Sequence, residues 1–183
     1  MMRKREALSR MMRAWLEANR HGRLASDQWL NLVTAPLLTL LFLAVPVSLV
    51  FIFTPARLFL RFGNYGRFVL PALAVGLLLM LVFRARRYAR LPVYHGVFYG
   101  ADHRTARELV GRNLKVYTEK GEPVLFDRFA GTAPHLEPDA PYIVYYLVDG
   151  ERRTLLSAAP GEHPDANRWE PTGKFYERQK QRR

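Results

Sequence analysis

Asp102-His103 is the nearest the sequence comes to a constellation able to move a proton, and His135, Glu137 and Asp139, interleaved with Pro134 and Pro138, form a loop with donors enough to hold a divalent cation. Each has a simpler duty. Asp102 stands where a helix begins, and a carboxylate there accepts a hydrogen bond from the exposed backbone N–H groups of the first turn. The proline-rich loop reads as a solvated connection. Ser157 has no nucleophile-elbow pattern and no His near it in sequence, and it reads as a strand-end residue. The histidines at 21, 95, 103, 135 and 163 make neither HExxH nor a zinc spacing, and the glycines sit at turns without phosphate-loop spacing. Lack of cysteine removes disulfides, thiolate metal sites and thiol catalysis. No catalytic residue, metal or cofactor is expected.

Charge placement says more. The chain has 183 residues and a net charge of +12, yet residues 91–158 hold eight basic and nine acidic side chains. The excess lies elsewhere: seven Lys/Arg against three acids in 1–28, then Arg57, Arg61 and Arg67, then Arg84, Arg86, Arg87 and Arg90. A nucleic-acid reader needs its positive charge on the folded domain, so no nucleic-acid partner is expected. Basic residues flanking apolar runs instead suit anionic lipid headgroups and set insertion topology.

The apolar runs themselves are long. Gln28 to Ala56 has no charged side chain, and Phe68 to Phe83 has none either. At about 1.5 Å rise per residue, some twenty apolar residues cross a hydrocarbon core of roughly 30 Å. The sequence therefore predicts transmembrane helices at 29–54 and 68–83 joined by a short non-cytoplasmic loop at 55–67, with both termini cytoplasmic in a bacterial inner (plasma) membrane. Trp15, Trp29, Tyr65, Arg67, Arg84, Arg86, Arg87 and Arg90 would then lie at the membrane interface. Ala72 and Gly76, four apart, would let another helix approach closely.

Around the hairpin, residues 1–28 form an amphipathic helix and linker. Leu8, Met11, Met12, Trp15 and Leu16 recur on one face, Gly22 closes the helix, and Ser26 or Asp27 caps the next. Residues 84–159 read as a cytoplasmic β-rich, barrel-like domain. Its expected strands are Pro92 to Tyr99, Asn113 to Thr118, Pro123 to Phe129, Tyr142 to Val148 and Arg152 to Ser157, with a short helix from Asp102 to Val110. Asp149-Gly150 and Lys120-Gly121 mark hairpin turns. Residues 160–183 read as an irregular basic tail without a core of its own.

These parts add up to an α+β membrane protein acting as a non-catalytic interaction subunit of a larger membrane assembly. Its partners would be lipid headgroups and other membrane subunits, with a homo-oligomer possible. Tyr142, Val144 and Tyr146 on one strand, with Trp169, Phe175 and Tyr176 in the tail, would dock those partners. A homo-oligomeric channel or sensor is the alternative, and an enzyme using Asp102, His103 and the Arg84 to Arg90 cluster is a further one.

Overall fold

A computed structural model describes residues 9–34, 37, 75–100, 114–131 and 136–182. The chain divides into two compact units, Met1–Trp29 with Arg90–Arg183, and Leu30–Ala89.

The first unit is built on one curled mixed sheet. Its strands are β1 (Val93–Gly100), β2 (Leu114–Tyr117), β3 (Pro123–Phe126), β4 (Arg128–Phe129), β5 (Pro141–Asp149) and β6 (Arg152–Pro160), in the order β3-β2-β1-β5-β6-β4. All neighbours are antiparallel except β4 and β6, which are parallel. The expected strand at Pro123 to Phe129 divides at Asp127. Its first half pairs with β2 and its second with β6, so one bent segment supplies both edges of the sheet and curls it into a half-barrel. Asp127 holds the corner: its N–H donates to the Arg153 carbonyl at 3.0 Å, and its carboxylate accepts from the Arg153 N–H at 3.3 Å. Both edge strands are short, with 4 and 2 residues, which limits the row of unpaired backbone groups they present.

The hairpins form where the sequence placed them. Asp149 pairs with Arg152 across a two-residue loop in which Gly150 has φ 66°, while Glu151 does not have positive φ. A primed turn with positive φ at its first central residue alone matches type II′, in which glycine takes that place.

Directly opposed residues share a face of the sheet, so register assigns the two sides. Phe98, Val116, Phe126, Tyr142, Val144, Leu155 and Ala158 point to the concave side and form the main core with Leu136. Phe98, Phe126 and Tyr146 meet edge-to-face at 5.6 to 5.9 Å between ring centres.

The other face carries His95, Ile143, Tyr145, Leu147 and Ser157, and the ends of the chain cover it. Helix α1 (Arg10–Asn19), capped by the Ser9 hydroxyl accepting from the Met12 N–H, buries Trp15, Leu16 and Asn19. Gly22, at φ 69°, ends the helix as expected. Trp15 lies against Gly131, where a Cβ would sit 2.0 Å from the indole, so only glycine fits beneath it. A 3-10 turn (Ala166–Trp169) and a C-terminal helix (Gly173–Gln181) bury Trp169 and Phe175. The expectation of an irregular tail without a core is thus corrected: its aromatic residues are part of the fold.

Two further helical stretches are described, residues 26–34 (α2) and 75–90 (α3), and the C-terminal helix is α4. The expected transmembrane hairpin is overturned. Among the described residues no helix is long and apolar enough to cross a membrane. The physical reasons lie in where the charge-free runs begin and end. Gln28, at the head of the first run, is fully buried in the sheet unit, with its amide donating to the Leu156 carbonyl at 2.8 Å. From residue 75 onward the second run continues without a helix break into Arg84, Arg86, Arg87 and Arg90. The integral-membrane placement and its cytoplasmic termini are corrected with it. Residues 35, 36 and 38–74, including the expected loop at 55–67 with Tyr65 and Arg67, and Ala72 of the second expected helix, lie outside the described residues, as does the helix expected at Asp102 to Val110.

Candidate functional site

Three places among the described residues gather polar, aromatic or exposed apolar side chains. The first is the polar seam under α1. The β5–β6 register slips between Tyr145 and Tyr146 of β5, so Leu156 of β6 is an extra residue with no partner opposite it on β5. Such a bulge frees backbone groups that burial would otherwise leave unsatisfied. Gln28 meets that need. Its amide donates to Leu156, and its side-chain oxygen accepts from the Ala25 N–H at 3.1 Å, capping α2 in place of the expected Ser26 or Asp27. Beside it the Asn19 amide donates to the Ser157 hydroxyl at 2.8 Å, both residues being buried. Ser157 is therefore a clasp between helix and strand, away from solvent, and no reactive partner accompanies it.

The second place is the aromatic box under α4. His95 lies 5.4 Å from the Tyr145 ring and 6.5 Å from Phe175, centre to centre. Burial pushes the His95 pKa below its ordinary value, with the charge of Glu170 acting the other way. Tyr145 donates its hydroxyl proton to the Trp169 carbonyl, and burial holds its pKa well above the usual range. A neutral imidazole and a neutral phenol fit this role as packing for the C-terminal segment. The segment is tied at its start by Thr172, whose N–H and hydroxyl both donate to the Arg20 carbonyl at 3.0 and 3.1 Å.

The third place is α3. Val75, Leu78, Leu79, Val82 and Phe83 are exposed by between 42% and 70%, at positions i, i+3, i+4, i+7 and i+8 of one helix. That spacing lines a single face. In the same unit Arg84 donates through Nε to the Leu32 carbonyl at 2.9 Å, and its guanidinium lies 5.2 Å from the Tyr88 ring centre. Leu32 needs this donor because residue 36, which would serve it in a continuous helix, is proline and has no N–H.

The sequence-expected site residues scatter accordingly. Tyr142, Val144 and Tyr146 point into the concave core, and Trp169 and Phe175 are buried beneath the other face, so five of the six expected docking residues are engaged within the chain. Tyr176 is 57% exposed. Trp15 is buried against Gly131, and Trp29 is 36% exposed. Arg86, Arg87 and Arg90 are exposed, while Arg84 is pinned to Leu32. Among the described residues, nothing lies within 4 Å of a Cβ built at Gly76. Asp102, His103 and His135 lie outside the described residues. Glu137 donates its backbone N–H to the Tyr142 hydroxyl at 2.8 Å, and Asp139, at φ 58°, donates its N–H to the Gly100 carbonyl. Those bonds shape a loop. Among the described residues no group of three His, Cys, Asp or Glu is placed to hold a metal.

Residues 75 to 83 were visible in the sequence only as an apolar run. Their place on a single helix face could have been read from the spacing of the largest side chains. Comparison with protein-family models, with curated proteins and with solved structures finds no match to this chain.

Proposed function

We propose that the chain is a non-catalytic interaction subunit whose contact with another protein is made through the apolar face of α3. The single observation that carries the reading is the row Val75, Leu78, Leu79, Val82 and Phe83, five large apolar side chains left in solvent on one helix face. A row of this kind costs free energy until it is covered, at about 25 cal/mol for each Å² of apolar surface. Its spacing suits a facing helix, which inserts its own side chains between positions three and four apart. The sheet unit supports the reading indirectly, because Tyr142, Tyr145, Trp169 and Phe175 are buried in its own packing.

A photo-reactive amino acid placed at Leu78 or Phe83 in the cell tests this. The expected result is a discrete protein–protein adduct from both positions and none from Glu119 or Glu151, which are exposed on turns of the sheet unit. Absence of any discrete protein adduct from Leu78 and Phe83 would overturn the reading.

A further inference from the structure

The two ends of the chain bring together arginines that lie some 150 positions apart in sequence. Arg23 follows Gly22 directly at the end of α1, and a Cβ built on Gly22 sits 3.7 Å from the Arg178 Cβ. Arg178 and Arg182 are four apart on α4 and share a side of that helix. The Arg178 guanidinium donates through Nη1 to the His21 carbonyl at 2.6 Å, and that of Arg182 donates through Nη1 to the Leu91 carbonyl at 2.8 Å. A guanidinium has five N–H donors, so one carbonyl bond orients the plane without exhausting it. Burial, then the positive charges of Arg23 and Arg182, hold Arg178 below its ordinary pKa, and Glu177 alone acts the other way. The guanidinium groups of Arg178 and Arg182 are thus each oriented by a backbone bond, and the exposed Arg23 neighbours Arg178 through Gly22.

We propose that Arg23, Arg178 and Arg182 form an anion site that takes a phosphate-bearing ligand. Bringing guanidinium groups together raises their mutual repulsion, and an oxyanion between them turns that cost into attraction. The planar fork of arginine matches two oxygens of a phosphoryl group, and Arg178 and Arg182, already oriented by carbonyls, lose little freedom on binding it. A doubly charged tetrahedral group offers enough oxygens for three such forks, which a carboxylate does not. None of these arginines belongs to α3, and neither reading depends on the other.

The test uses the full chain and two probes: inorganic pyrophosphate followed by titration calorimetry, and co-sedimentation with phosphatidylcholine vesicles with and without phosphatidic acid. Binding of pyrophosphate, or of the acid-containing vesicles only, is expected, and which probe binds tells whether the phosphate is free or carried on a headgroup. Arg23→Gln, at an exposed position, should weaken binding at least tenfold. Arg178→Lys, which keeps the charge and loses the fork, should do the same without a change in melting temperature beyond a few degrees. Arg10→Gln and Arg13→Gln together, removing charge from the exposed side of α1, should leave binding within about twofold. Failure of both probes to bind would overturn the proposal. So would an equal loss in the Arg10 and Arg13 variant, because the attraction would then be bulk charge.

Discussion

The sheet unit and helix α3 treat apolar side chains in opposite ways. In the sheet unit Tyr145, Leu147, Trp169 and Phe175 are buried beneath a face that the chain covers with its own ends. On α3 Val75, Leu78, Leu79, Val82 and Phe83 stand exposed. The difference teaches that large apolar residues of similar composition have two fates here: those on the sheet hold the fold together, and those on α3 remain available for contact.

The most severe test of that contrast is a pair of truncations. Trp15→Ala should cost about 3–5 kcal/mol in chemical denaturation, as loss of a buried indole does, while Phe83→Ala should change stability by no more than about 0.5 kcal/mol. Equal losses would erase the distinction. Gly131→Val attacks the same contact from the strand side. Its added carbons would collide with the Trp15 ring, and overpacking of this kind costs about 1–3 kcal/mol, read as a lower melting temperature with α1 more open to proteolysis. Asn19→Leu leaves the buried Ser157 hydroxyl without its donor and should cost about 1–3 kcal/mol. The double variant with Ser157→Ala should recover part of that loss, since both polar partners are then gone.

A smaller effect sharpens the contrast through pH. Burial holds the folded His95 below its ordinary value of 6.5, with Glu170 opposing. As pH falls, the unfolded chain takes up the proton first. The contribution of neutral His95 is therefore complete above about 6.5 and is lost as pH drops through the lower folded value. Urea midpoints measured from pH 8 down to 5 should fall across that window, and His95→Phe should flatten the change. A profile that is as steep in His95→Phe as in the parent chain would remove the imidazole from the account.

The strands were legible because β-branched and aromatic residues cluster between turn residues, and Asp149-Gly150 and Gly22 announced their backbone conformations through the chemistry of glycine. Four things were not legible. Gln28 opens a charge-free run, and hydropathy alone counts it with the apolar residues that follow; its amide instead serves a carbonyl freed by a bulge in β6, and register slips leave no mark in composition. Trp169 and Phe175 are sparse among polar residues, so their burial follows from which face of the sheet needed a cover. The alternation-free strand Tyr142 to Val148 did imply two covered faces, without naming what covers the second. Absence of charge measures the length of an apolar run, and it does not report the length of the helix or what surrounds it, which is where the expected hairpin failed. For the candidate site, the spacing of residues 75 to 83 was readable, but their exposure depends on neighbours distant in sequence.

Residue-resolved hydroxyl-radical footprinting of the intact, purified chain tests the central claim most directly. Protection of Trp15, Trp169 and Phe175 together with strong labelling of Leu78, Phe83 and Tyr176 is the predicted pattern. Labelling of Trp15 and Phe175 as strong as that of Phe83 would contradict it, because the chain's own ends would then not be covering the sheet.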